Sequence, residues 1–392
     1  MVYRFSDVEL RADTRELLVG GKAIAVEPQV FDLLLALIAA RHRVMSRDEL
    51  IELVWRGINV SDSAISARIS AARAAIGDDG RRQAMIATIP RRGFRFVAEL
   101  EGSGPRASPS LAARQQVALC RSADGTGIAY ARSGSGPPLV RTGHWLTHLE
   151  FDWVSPLWRP YLDRLGRRFE VIRYDQRGTG LSDWSIDQLT LERLVDDLEA
   201  VVDAAALERF VLYGSSQGAP VAVAFAARHP QRVSRLILQG GFERGRLVSP
   251  DPAERERAAA MLTLIRTGWG MAGSAFIDAF ATLFIPDGSR EQVDSLAELQ
   301  RRTTSADNAA RLREMVDRID VSSTLAELRC PTLVIHSTHD SVQPLERGRQ
   351  LASGIAGAQF LQLDSRNHVI VPQETAWSQL FEAIDSFAGA PD

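Results

Sequence analysis

The spacing of apolar residues changes character along the chain, and each change marks an element. The opening run VYRFSDVELRADTRELLVGGKAIAV alternates apolar with polar and carries a Gly20-Gly21 turn, which predicts a small antiparallel sheet. Helical spacing follows: PQVFDLLLALIAARHR puts Phe31, Leu34, Leu35 and Ile38 on one stripe. SRDELIELVWRG starts a second helix, with Ser46 as N-cap and Glu49 completing a capping box. A third begins near Ser61 or Asp62 and runs SAISARISAARAAIG, with Ile65, Ile69 and Ala72 inward, Arg68 and Arg73 turned elsewhere, and Gly77 as its stop. MIATIPRRGFRFVAEL then predicts two short strands joined around Pro90-Arg91-Arg92-Gly93.

The segment GSGPRASPS, Gly102 to Ser110, is too polar and too broken by proline to pack, and predicts a linker over 101–116 between domains at 1–100 and 117–392. Beyond it, seven strand-like runs (GIAYARSG, PPLVRTG, FEVIRYDQRG, RFVLYGSS, SRLILQGG, PTLVIHST and AQFLQLDS) alternate with helical ones, which predicts a mostly parallel sheet wrapped by helices. Between the fifth and sixth runs, about 242–328 is helical in period and is expected to form a lid of several helices.

Composition narrows the classes. At 392 residues, 45% hydrophobic and 24% charged, the chain can bury a large core, which excludes a disulfide-stapled miniprotein or a disordered tail. Two cysteines, Cys120 and Cys330, have no metal or redox spacing and are expected to be reduced, buried thiols of a cytoplasmic protein. The N-terminus lacks a signal-peptide layout, and no apolar run is long enough for a bilayer span, so no membrane partner is expected. A net charge of -3 excludes a general polycation. From Ser63 to Val97, however, Arg68, Arg73, Arg81, Arg82, Arg91, Arg92 and Arg95 face only Asp78 and Asp79, a basic patch suited to nucleic acid.

Small sheet, three helices and a closing hairpin are the order of a winged helix. The strings EPQVFDLLLALIAARHRVMSRDELIELVW, DSAISARISAARAAIG and ATIPRRGFRF resemble the DNA-binding domain of the OmpR/PhoB response-regulator family over about Val2 to Leu100. That resemblance implies double-stranded DNA as a partner, with the helix from Asp62 to Ile76 in the major groove. It makes Arg68 and Arg73 candidate base or phosphate contacts, and Arg91, Arg92 and Arg95 candidate wing contacts. No receiver-domain pattern precedes this module, so the second half is expected to receive the signal.

The chemistry of the second half centres on FVLYGSSQGAPVAVAFAARHP. An apolar strand runs through Gly214-Ser215-Ser216-Gln217-Gly218 into an amphipathic helix, the strand-turn-helix context of a G-x-S-x-G nucleophile elbow. A serine hydroxyl needs a histidine to take its proton and a carboxylate to orient that histidine. Asp340, after the strand PTLVIHST, and His368, in LDSRNHVIVPQ, follow Ser216 in that order. This order, with DQRGTGLS at Asp175 to Ser182, resembles the alpha/beta-hydrolase superfamily over about Val117 to Ala388.

The resemblance implies an oxyanion hole from the backbone N–H groups of Gln217 and Trp145, although Gly143-His144 reverses the family's usual His-Gly. His144, Trp153, Trp158 and Trp184 are candidates for an aromatic substrate pocket. His144, His148, His336 and His339 lack metal spacing, and neither metal nor cofactor is expected. Asp175 and Arg177 are expected to brace their turn, and Asp196 and Asp197 to sit on a solvated helix edge. Together these features predict a homodimeric one-component transcriptional regulator that senses, and hydrolyses, a small ester-, lactone-, thioester- or amide-like ligand. A serine esterase with an accessory winged helix, or a non-catalytic receptor on a hydrolase scaffold, are the alternatives.

Overall fold

Four short strands open the chain as a meander: β1 (Val2–Phe5), β2 (Val8–Arg11), β3 (Glu16–Val19) and β4 (Lys22–Ile24), antiparallel in sequence order. Pairing of Leu10 with Leu17 and of Phe5 with Val8 turns these four side chains into the core. This is a computed structural model that describes residues 2–12, 14–41, 45–55, 60–89, 93–98, 115–269 and 275–389. The chain falls into two units, 1–108 and 109–392. The linker expected over 101–116 lies outside the described residues as far as position 114.

Helix α1 (Pro28–Ala39) starts on a proline, whose missing N–H costs nothing in the first turn. Phe31, Leu34 and Ile38 are buried as expected, while Leu35 is half-buried. Helix α2 (Arg47–Trp55) has the reciprocal cap: Glu49 N–H donates to Ser46 Oγ and Ser46 N–H to Glu49 Oε2. Ser61 caps α3 (Asp62–Ala75), which buries Ile65, Ile69 and Ala72. The wing is β5 (Ile86–Ile89) against β6 (Gly93–Phe96), with Phe94 bonded in both directions to Met45. Gly93 is obligatory there, because a Cβ would lie 1.8 Å from the Met45 carbonyl oxygen. Between helix and wing, the buried Asp78 carboxylate accepts from the N–H groups of Asp79, Ala84, Met85 and Ile86. Burial opposes its ionisation, but those four donors prevail and hold it below the usual carboxylate range.

The second unit is built on an eight-stranded sheet: β7 (Gln116–Arg121), β8 (Gly127–Gly134), β9 (Pro138–Arg141), β10 (Glu170–Tyr174), β11 (Phe210–Ser215), β12 (Val233–Gln239), β13 (Thr332–Ser337) and β14 (Gln359–Leu363). Its spatial order is β14-β13-β12-β11-β9-β10-β8-β7; β8 runs antiparallel to both its neighbours, and the six strands from β9 onward are parallel. Strand β11 is buried on both faces, which is why it reads as an unbroken apolar run. Strand β7 is an addition to the seven expected: as an edge strand it leaves Val117 and Leu119 exposed and has no buried alternation to betray it. The chain passes from β9 to β10 on one side and returns to β11 on the other, so a crevice opens at the carboxyl ends of β9 and β11.

Helices α4 (Leu149–Val154), α5 (Trp158–Gly166), α6 (Leu191–Ala204) and α7 (Gly218–Arg228) connect the central strands. Four more, α8 (Pro252–Gly268), α9 (Ala275–Phe284), α10 (Arg290–Thr303) and α11 (Ala306–Arg318), fill the insertion between β12 and β13. Helices α12 (Leu345–Ser353) and α13 (Thr375–Ala388) complete the unit. No described helix is long and apolar enough to cross a membrane.

Candidate functional site

Ser216 stands between β11 and α7 with φ of +53°, a conformation L residues adopt only when their surroundings enforce it. The flanking glycines supply the room. A Cβ on Gly214 would lie 2.7 Å from the Gly218 carbonyl oxygen, and one on Gly218 2.1 Å from Thr142 Oγ1. The Ser216 hydroxyl lies 2.9 Å from His368 Nε2, and His368 Nδ1 lies 2.6 Å from Asp340 Oδ2. The other oxygen of Asp340 accepts from the N–H groups of Val342 and Gln343 at 2.8 and 2.9 Å. Burial disfavours the Asp340 charge, yet His368, its hydrogen bond and the Gln343 N–H outweigh it and keep the carboxyl below its ordinary range.

The loops carrying acid and base are tied together. Ser337 Oγ donates to the Asn367 carbonyl, and Glu374 accepts from Ser365 Oγ, Asn367 Nδ2 and Val371 N–H. His368 N–H donates to the Phe284 carbonyl at 2.9 Å, and Asp287 N–H to Asn367 Oδ1 at 3.0 Å. The histidine loop is thus stitched to the end of α9.

Ser216 and His368 open into a cavity of about 40 Å3, which Arg141, Trp145, Trp158, Phe280, Phe284 and Gln300 also line. His144 lies against it as well, stacked on Trp158 at 4.3 Å. Burial, followed by the charges of Arg141, Arg173 and His368, pushes His144 well below the usual histidine range, so its imidazole is neutral. The backbone N–H groups of Trp145 and Gln217 have no protein acceptor among the described residues. Gln176 Nε2 donates to the carbonyls of His144 and Trp145, and Gln217 Nε2 donates to Gln176 Oε1, so a pair of glutamines sets the 144–145 backbone beside Ser216.

Several expectations need correction. Trp153 lies under the Arg159 guanidinium, and Trp184, 41% exposed, donates to the Gly180 carbonyl; neither reaches the cavity. Of the four tryptophans clustered in sequence, Trp145 and Trp158 converge on the cavity and these two do not. Asp197 is fully buried and holds Arg177 in a two-pronged pair at 2.6 and 2.7 Å, with Asp124 on the same guanidinium. Asp175 braces its turn by accepting from Leu149 and Leu181 N–H. The two thiols are half-buried, and burial pushes Cys120 up to about 11. Among the described residues no group of His, Cys, Asp and Glu could hold a metal.

In the first unit, Arg73 is corrected most sharply. It is 6% exposed and donates to the Ile86 carbonyl and Thr88 Oγ1, joining α3 to the wing from inside, so it is unavailable to DNA. Arg68 is half-buried, paired with Glu27 at 2.9 Å and bonded to Gln29. Arg95 is exposed on β6, and Arg91 and Arg92 lie outside the described residues. The exposed face of α3 carries Ser63, Ser66, Ala67, Ser70 and Ala74, all small.

Arg141, Gln176, Phe280, Phe284 and Glu374 had not been anticipated. Of these, Arg141 leaves a trace in the sequence as a charge at the end of the apolar strand PLV, and Gln176 lies within the string DQRGTGLS.

The family described as the alpha/beta hydrolase fold matches residues 148–375, and the chain belongs to it. Residues 21–96 match the family described as transcriptional regulatory protein, C terminal, so an OmpR/PhoB-type DNA-binding domain is fused to a hydrolase domain. More particularly, the chain is 27% identical over 262 residues to pyrrolizixenacetamide deacetylase of Xenorhabdus hominickii, covering 66% of this chain and 91% of that protein. Among solved structures it is similar to the enol-lactonase from Burkholderia xenovorans LB400, with 27% identity, a TM-score of 0.57, and coverage of 69% of this chain and 99% of that one. A hydrolase from Pseudomonas aeruginosa PA01 aligns with 26% identity and a TM-score of 0.56, over 70% of this chain and 99% of that one.

Proposed function

We propose that this protein is a one-component transcriptional regulator, DNA-bound as a homodimer, whose hydrolase domain binds and hydrolyses a small ester, lactone, thioester or amide in the cytoplasm. The observation that carries the reading is the unbroken relay from the Ser216 hydroxyl through His368 to the buried Asp340 carboxylate. Ser216 Oγ attacks the ligand's carbonyl carbon while His368 Nε2 takes its proton, and Asp340 steadies the imidazolium that forms. The oxyanion falls to the unpartnered N–H groups of Trp145 and Gln217. His368 then protonates the leaving group, and water repeats the sequence to free the acid and Ser216. A deacetylase and an enol-lactonase, as two of the similar proteins are named, both cleave acyl bonds, which supports this chemistry.

The insertion acts as a lid, since Phe280, Phe284 and Gln300 roof the cavity from α9 and α10. DNA contact falls to Arg95, Arg68, Arg91 and Arg92. The test has two arms. Fluorophosphonate labelling and p-nitrophenyl acetate turnover are expected, and both are lost in Ser216→Ala. Absence of both in the folded wild-type protein would leave a receptor without hydrolysis. A mobility shift on DNA upstream of its own gene, weakened steeply by salt, is expected, and binding no tighter than to random DNA would end the regulator reading.

A further inference from the structure

Arg141, the last residue of β9, is 5% exposed and reaches the cavity beside Ser216. Its guanidinium lies over the rings of Trp158, Tyr161 and Tyr213 at 4.8, 5.6 and 5.8 Å. Among the described residues it makes no ion pair and no hydrogen bond, and its Nε is buried without a partner. Other buried arginines of the unit are answered: Arg177 by Asp197 and Asp124, Arg313 by Asp317, and Arg173 by Asp152, Gln115 and the Leu149 carbonyl. Aromatic faces soften the desolvation of Arg141 but accept none of its N–H groups in the plane of the fork.

The cavity wall repeats the imbalance. Trp158 Nε1 and Trp145 Nε1, which can only donate, are also buried and unpartnered. Tyr161 Oη, Ser215 Oγ and Gln300 Oε1 on the same wall are orphaned too, but the two hydroxyls can donate, so among the described residues one amide oxygen stands against a cation, two indole N–H groups and two hydroxyls. The wall is donor-rich and the Arg141 charge is unmatched, which describes a place for a carboxylate.

We infer that the ligand carries a free carboxylate, held by Arg141 in its aromatic cage while Ser216 faces the ligand's carbonyl carbon. The inference rests on the hydrolytic reading above and names its substrate class. The cavity is small, about 40 Å3, so the two functional groups belong to one short molecule, such as a hemiester of a four-carbon diacid. Hydrolysis adds water across the acyl–oxygen bond, breaks it, and yields an alcohol, a dicarboxylate and a proton.

Binding is tested on the full-length Ser216→Ala protein by calorimetry with butyrate and its neutral isostere butyramide. Butyrate is expected to bind at least tenfold tighter, the preference vanishing with a second change, Arg141→Met, and returning with Arg141→Lys. Equal affinities, or a preference that survives Arg141→Met, would overturn the inference. Turnover is followed by proton release from monomethyl succinate and methyl butyrate. The ratio of their kcat/KM values is expected to favour the acidic ester and to fall at least tenfold in Arg141→Met, whereas an equal loss on both esters would assign Arg141 to the chemistry or the fold instead. Should labelling of Ser216 fail while butyrate is still preferred, hydrolysis is refuted and the carboxylate site stands; labelling without the preference refutes only the carboxylate site.

Discussion

Two arginines, one in each domain, sit at nearly the same depth and do opposite things. Arg73 of the winged helix gives its N–H groups to a wing carbonyl and a threonine hydroxyl, and its role ends there. Arg141 of the hydrolase domain is enclosed by three rings and, among the described residues, its side chain finds no hydrogen-bond acceptor. Burial alone therefore does not separate a strut from a binding group; what separates them is whether the protein itself completes the hydrogen bonding. A buried group left incomplete costs stability, and a ligand can recover that cost.

The contrast can be pressed from both sides. Asp340→Asn should do the most damage: the carboxylate is fully engaged like Arg73, but its partner moves a proton. Turnover of an ester substrate is expected to fall about 10^4-fold, while DNA affinity in a mobility-shift assay stays unchanged.

Asp152 is an intermediate case, with one oxygen on Arg173 at 3.5 Å and the other buried without a partner. Burial, only partly offset by Arg173, raises its carboxyl to about 7. The folded state therefore holds this proton more tightly than the unfolded state. The resulting stability is whole below about pH 4 and is lost as pH rises toward 7. Asp152→Asn should remove that loss, so thermal melts are expected to show the variant gaining on the parent between pH 5 and pH 8.

Arg73→Met should destabilise the winged helix by about 2 kcal/mol, since the Ile86 carbonyl loses its donor inside the fold. Chemical denaturation of the full chain measures this. Arg141→Met should move the other way, leaving the hydrolase domain unchanged or about 1 kcal/mol more stable, because an unanswered charge is replaced by an apolar side chain. An Arg141→Met protein that melts well below the parent would erase the distinction. Smallest of all, Arg95→Ala should flatten the slope of log affinity against log salt by about 1.

Much of this was legible in the sequence, for a physical reason. The elbow and the capping box are local strings whose backbone demands are met within a few residues, and the order of Ser216, Asp340 and His368 along the chain is read through the family resemblance. The misreadings share one cause as well. Arg73 stands four residues after Ile69 and three before Ile76, on the buried stripe of α3, and Asp197 stands three after Leu194 and four before Val201 on that of α6. Helical period places both inside, and only their charge suggested otherwise. Contacts between distant segments, such as the glutamine pair at 176 and 217 or the rings around Arg141, have no signature in spacing.

The stitch between the His368 amide and the Phe284 carbonyl means that the roof and the proton acceptor travel as one piece. Prying α9 away would orphan that amide and, with it, the Asp287–Asn367 bond, at a cost of about 1 to 3 kcal/mol for each group left unsatisfied out of reach of water. On the hydrolytic reading proposed above, displacing α9 would therefore also pull His368 from its place beside Ser216.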